Sequence, residues 1–226
     1  LIRGEKVLVD GCVCAQTGKM VDQHSQVELL SAEHPYVSRG GLKLEGALRD
    51  FSVEVRGRIA LDVGQSTGGF TECLLKAGAQ EVIGIDVGHS QLHSTLRNHP
   101  QIKFFEKTDI REISENFFGR KFSLVVTDLS FISLEAYLPA LCKFLEQNAE
   151  LVVLLKPQFE VDPALLGGGG ILRNASERQR VVEARKRFCQ GLGFTLAGVS
   201  ESKVTGGDGN QETFLHLKWL SSKMGF

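Results

Sequence analysis

Ile59-Ala60-Leu61-Asp62-Val63-Gly64-Gln65-Ser66-Thr67-Gly68-Gly69-Phe70-Thr71 decides the fold. Its first five residues form a β-branched, apolar run of strand length, the middle is a glycine-rich turn, and a helical pattern continues from Phe70 to Ala77. A second apolar run, Val82 to Asp86, follows at once, which is the βαβ signature of a parallel sheet wound with helices. Further strands are expected at Ile102 to Phe105, Leu124 to Thr127 and Leu151 to Leu155, with a helix over Leu134 to Leu145. The unbroken hydrophobicity of Leu151 to Leu155 suits a strand buried on both faces.

Beyond these five parallel strands lie a glycine loop, Gly167 to Gly170, and a helix over Ala175 to Gln190 with Ser176 as its expected cap. Thr195 to Glu201 and Thr213 to Trp219 then read as strands whose connection is too short for a helical crossover, so they form an antiparallel hairpin. The expected fold class is therefore α/β, a Rossmann-like parallel sheet with a C-terminal antiparallel hairpin, of the kind found in methyltransferases. Upstream, Lys6 to Val13 alternates around Asp10-Gly11 and Val27 to Leu29 alternates again, a small β-rich module. The expected division is 1–32 for this module, 33–58 for a linker and helix, and 59–226 for the main domain. Pro35 biases His34 towards an extended linker.

Net charge is −1, which gives no general attraction to a polyanion. The distribution is more informative: Arg39, Lys43, Arg49, Arg56 and Arg58 crowd one segment and Arg173, Arg178, Arg180, Arg185, Lys186 and Arg187 another, and each could supply phosphate contacts or form a solvated helix face. The five cysteines include no C-x-x-C pair, which argues against a disulfide framework or zinc site and for a reducing, cytoplasmic compartment. If Cys12 and Cys14 share a strand, their thiols share a face. No apolar run approaches the roughly 18 to 20 residues of a membrane-spanning helix. The chain starts Leu1-Ile2-Arg3-Gly4, without Met or a signal-peptide pattern, and is expected to continue an upstream segment.

Ligands of such sheets bind at the carboxyl ends of the strands, where the glycine turn lies. Gly64 and Gly68 would let the backbone approach a ligand, and Gly69 would allow close helix packing. The spacing is not G-x-G-x-x-G, which weakens a nicotinamide dinucleotide. Asp86, at the end of the second strand, can accept hydrogen bonds from a ribose diol. Asp62 could face a cationic ligand group, and Asp109, after the third strand, an adenine amine. With Ser66, Thr67 and Phe70 of the turn, these residues form the expected site for an adenosyl cofactor, S-adenosyl-L-methionine.

Lys156 ends an apolar strand just before Pro157, placing an ammonium at the active edge of the sheet, and Asp128 ends the neighbouring strand where it can orient that lysine. Lys43 lies outside the sheet on a helix that could fold over the edge, and Glu212 begins the last strand. Methylating a ribose hydroxyl would need such groups, because its proton must be removed while the oxygen is held in line with the methyl donor.

Tyr36-Val37-Ser38-Arg39-Gly40-Gly41-Leu42-Lys43-Leu44, the stretch from Leu61 to Thr71, and Leu155-Lys156-Pro157-Gln158-Phe159-Glu160 closely resemble the TlyA family, whose members are called both hemolysins and ribosomal RNA 2′-O-methyltransferases. The resemblance implies an FtsJ-like Lys-Asp-Lys-Glu tetrad at Lys43, Asp128, Lys156 and Glu212. In it, Lys156 would act on the 2′-hydroxyl, Asp128 and Glu212 would position that lysine, and Lys43 would help hold the ribose. The target it suggests is cytidine, and the implied partners are ribosomal RNA or ribosomal subunits, with no DNA and no membrane; the oligomeric state is left open. The first 30 residues resemble the latter part of an alpha-L RNA-binding domain lacking its opening helices, which would weaken RNA affinity. Two rivals remain: a non-catalytic RNA-binding or ribosome-assembly factor, which loss of a tetrad residue would have favoured, and a membrane-active hemolysin, which would need a spanning or Lys-rich amphipathic segment.

Overall fold

The computed structural model describes Ile2, residues 7–29 and residues 34–220. Two compact units emerge, Leu1–Pro35 and Tyr36–Phe226. In the first, β1 (Val7–Val9) pairs antiparallel with both β2 (Cys12–Val13) and β3 (Val27–Leu29). Asp10 and Gly11 both take positive φ, +52° and +77°, which is the demand of the tight turn joining β1 to β2. The Asp10 side chain also accepts from Gln26 N at 2.8 Å, fixing the return of the chain to β3. Cys12 is exposed and Cys14 buried, so the two thiols do not share an environment; Cys14 lies beyond the end of β2, outside the strand alternation.

The second unit opens with α1 (Gly40–Phe51), then β4 (Ile59–Val63), α2 (Gly69–Lys76), β5 (Glu81–Ile85), the short α3 (Ser94–Arg97), β6 (Ile102–Phe105) and β7 (Phe122–Thr127). It continues with α4 (Leu134–Leu141), β8 (Leu145–Leu155), α5 (Ala175–Leu192), β9 (Phe194–Glu201) and β10 (Thr213–Trp219). The sheet runs β6-β5-β4-β7-β8-β10-β9, with β4 to β8 parallel and β10 antiparallel to both its neighbours. Strand alternation sends Leu61 and Val63 into a core shared with α4 and α5, and Ala60 into a second core shared with α1 and α2. Both cores are dense with fully buried aliphatic residues; cutting Leu44 of α1, wholly buried, back to Ala would cost about 2–5 kcal/mol.

Three boundaries differ from the sequence expectation. The helix expected to reach Leu145 stops at Leu141, where Pro139 has removed a ladder donor, and a 3-10 turn, Cys142–Phe144, hands the chain to the strand. That strand, β8, begins at Leu145 rather than Leu151, with Glu146, Gln147 and Asn148 exposed. The cap of α5 is Asn174, not Ser176: Asn174 Oδ1 accepts from the N–H of Ser176 and of Glu177, satisfying two donors that the first helical turn leaves free.

Candidate active site

The glycine turn between β4 and α2 is shaped mainly by the protein's own neighbours. Gly64 has φ +86°, and a Cβ there would fall 2.5 Å from the Asp128 carbonyl oxygen, so this position needs glycine twice over. At Gly68, expected to give way to a ligand, a Cβ would strike Leu96 and Leu92 instead. Gly69 behaves as expected for close packing, since a Cβ there would sit 2.2 Å from Ser38 Oγ and 2.9 Å from Gly41 N at the start of α1. The glycine pairs of α1 and α2 thus bring the two helix starts together over the strand ends.

Asp62 points to the α2 side of the sheet and is wholly buried beneath this turn. Gln65 Nε2 donates to Thr71 Oγ1 (2.8 Å), which donates to Asp62 Oδ2 (2.6 Å), while Asp62 Oδ1 has no hydrogen-bond partner. Burial pushes the Asp62 carboxyl up to about 7, and the Asp128 and Asp86 charges push the same way. Asp62 therefore supports the turn from below and does not line the cavities above it.

Two cavities flank Gly64. The first, about 250 Å³, has Asp86, Thr108, Asp109, Ile110, Arg111 and Phe131 in its walls. The second, about 260 Å³, is lined by Ser38, Arg39, Lys43, Ser66, Phe70 and Asp128. Together they fall in the size range of small-molecule sites, about 300–1,000 Å³. Asp86, just beyond β5, accepts from Ser66 N at 2.8 Å and Gly88 N at 2.7 Å, which aims its carboxylate at the first cavity and ties it to the glycine turn. Arg111 donates to both oxygens of Asp109 and holds that carboxyl below the usual carboxylate range. Thr67 lies exposed on the turn, and Phe70 is buried against Phe214.

The four tetrad positions come together as two pairs. Lys43 Nζ donates to Glu212 Oε2 at 2.5 Å, with side chains only 9% and 2% exposed. Lys156 Nζ stands 2.7 Å from Asp128 Oδ1, at 11% and 22% exposure, and donates to Ser130 Oγ at 2.8 Å. Glu212, expected to position Lys156, accepts from Lys43: a lysine as deeply buried as Lys43 requires a counter-charge, and Glu212 supplies it. The register explains the meeting. Thr213 lies opposite Leu155, so antiparallel β10 begins where β8 ends.

Five members of the basic clusters, Lys43 among them, pair with the protein's own carboxylates. Arg185 bonds Glu160 and Glu135, Lys186 pairs with Glu183, Arg180 with Glu177 and Arg58 with Glu150. Arg39 instead lines the second cavity beside Lys43. Sequence reasoning missed Ser38, Ser130, Thr71 and Arg111. The nearness of Arg111 to Asp109 was available as a signal; for Ser130 nothing local marked it.

A Rossmann-like sheet closed by an antiparallel hairpin, with acidic strand ends and lysine–carboxylate pairs around one glycine turn, defines an α/β methyltransferase. The chain belongs to the FtsJ-like methyltransferase family, whose family model matches residues 36–219. It is 42% identical over 219 residues to the 16S/23S rRNA (cytidine-2′-O)-methyltransferase TlyA of Mycobacterium tuberculosis, covering 96% of this chain and 82% of the relative. It is 34% identical to Hemolysin A of Brachyspira hyodysenteriae, over 95% of this chain and 92% of that protein. A solved structure of a hemolysin candidate from Streptococcus thermophilus superposes with a TM-score of 0.85 at 37% identity, covering 98% of this chain and 81% of the other.

Proposed function

We propose that this protein transfers a methyl group from S-adenosyl-L-methionine to the ribose 2′-hydroxyl of a cytidine in ribosomal RNA, acting on ribosomal subunits in the cytoplasm. The observation that carries this is the convergence of Lys156–Asp128 and Lys43–Glu212 beside the glycine turn.

The first cavity fits an adenosyl group by its donor set. Asp86 offers acceptors to a ribose diol, Asp109 an acceptor to an adenine amine, and Ile110, Leu129 and Ile132 an apolar slot between them. Gly64, Ser66, Thr67, Gly68, Gly69 and Phe70 form the turn that would hold the rest of the cofactor, with Asp62 bracing it from beneath. When bound, the cofactor supplies the electrophilic methyl. Lys156, held by Asp128, would donate to the 2′-oxygen, easing loss of the hydroxyl proton to water and keeping that oxygen aimed along the transfer line. Lys43, fixed by Glu212, forms the wall of the second cavity against which the ribose is held. Residues 1–32, by their resemblance to part of an alpha-L RNA-binding domain, would contribute contacts to the RNA.

Among the described residues no helix is long and apolar enough to cross a membrane. A membrane-spanning reading of the hemolysin relatives' name draws no support from that feature, and the presence of all four tetrad side chains in paired geometry favours the enzyme over the assembly factor.

The test is incubation with methyl-labelled S-adenosylmethionine and ribosomal subunits from a strain lacking the protein, beside Lys156→Ala. Label at one RNA position resistant to alkaline cleavage, and absent with the variant, is the expected result. Cofactor binding without RNA labelling would instead favour the assembly factor.

A further inference from the structure

Lys156 Nζ has three protons to place. Its ion pair with Asp128 supplies attraction, yet Asp128 Oδ1 receives no aligned hydrogen bond despite the 2.7 Å separation. The aligned bond goes to Ser130 Oγ at 2.8 Å. Attraction is nearly non-directional, whereas a hydrogen bond weakens steeply when bent, so the serine sets where the remaining N–H directions point.

Ser130 is itself held in place. It sits in the turn after β7, next to Phe131, whose φ of +62° is rare for a bulky residue. On its other side the turn is pressed onto Gly64, where a Cβ would come 2.5 Å from Asp128 O and 3.0 Å from Leu129 Cδ2. Leu129, Ser130 and Phe131 also form a wall of the first cavity. One short turn therefore touches the glycine turn, the first cavity and the amine of Lys156.

We propose that Ser130 is a positioning residue for methyl transfer: its hydroxyl fixes Lys156 Nζ and ties that amine to the wall of the cofactor cavity. This rests on the methyl-transfer function proposed above. A hydroxyl suits the task because it accepts from the lysine while its own proton stays free for solvent or substrate. Ser130 is exposed and not at positive φ, so threonine can replace it without backbone strain and alanine without a core defect.

The experiment compares Ser130→Ala and Ser130→Thr with the wild type in the full chain. Ser130→Ala should lower kcat about tenfold, with KM for the subunits and Kd for S-adenosylmethionine within about twofold, and Ser130→Thr should restore kcat to within about threefold. An unchanged kcat in Ser130→Ala, a loss that threonine does not repair, or a loss confined to cofactor Kd would each overturn the proposal. A second readout needs no activity: acetylation of Lys156 by an N-hydroxysuccinimide ester, followed by peptide mass spectrometry. Its rate should rise in Ser130→Ala and return to the wild-type value in Ser130→Thr; equal rates in all three proteins would overturn the proposal. If the wild type transfers no methyl to RNA, the proposed function fails while the acetylation rates still decide the role of Ser130.

Discussion

Two lysine–carboxylate pairs stand side by side at the sheet edge, and they differ in how much water they see. Lys43–Glu212 is sealed between α1 and the start of β10, with both side chains below one-tenth exposed, while the Asp128 member of Lys156–Asp128 keeps about a fifth of its surface open. A sealed pair has lost its hydration and depends on its partner, so removing one member strands a buried charge. The less buried pair costs less to break than the sealed one, because water reaches part of the Asp128 carboxylate. In the proposed function, chemistry falls to the more open pair and architecture to the sealed one.

The largest expected effect separates the two directly. Lys156→Ala should reduce methyl transfer about 10²- to 10⁴-fold while the thermal midpoint falls by less than in Glu212→Ala, checked by single-turnover labelling and calorimetry. Glu212→Ala should do the reverse in emphasis, costing about 3–5 kcal/mol of stability in denaturant titration by leaving Lys43 unpaired. The double variant Lys43→Met with Glu212→Leu sharpens the contrast: it should regain most of that stability and still fail to position the ribose. A stable Glu212→Ala or an unfolded Lys156→Ala would break the comparison.

A smaller effect concerns pH. The Asp62 carboxyl lies at about 7 in the folded protein because burial opposes its charge, above its unfolded value of about 4. The folded state therefore binds more proton between these values, and this contribution to stability, full below about pH 4, is lost as pH rises through about 7. Asp62→Asn should remove that slope, seen as a smaller fall in unfolding free energy between pH 5 and pH 8. The smallest effect is at Asp109: Arg111→Ala should let its carboxyl return upward towards the ordinary range, read by NMR titration.

The fold was legible because short continuous apolar runs, a glycine turn and a short hairpin connection are local signals. The sheet edge followed from them, which is why Asp86, Asp128 and Lys156 could be placed near one another from the sequence. What stayed hidden depended on distant or very short-range detail. Gln147 and Asn148 look like a loop, yet β8 already runs through them. Asn174 was hidden as a cap by the equally suitable Ser176 two positions on. The pairing of Glu212 with Lys43 depends on how α1 packs against the start of β10, a contact 169 positions apart, and Ser130 carries no motif at all.

The placement of β10 has a consequence for synthesis. Lys43 and its counter-charge are separated by 169 positions, and Glu212 arrives with β10, the last strand among the described residues. While the chain is still emerging from the ribosome, α1 can fold only with its inward lysine lacking a carboxylate, so the half-made protein is held short of its closed form. The site is completed only once residue 212 has left the exit tunnel, and a nascent chain tethered to a translating ribosome should carry no methylating activity until then.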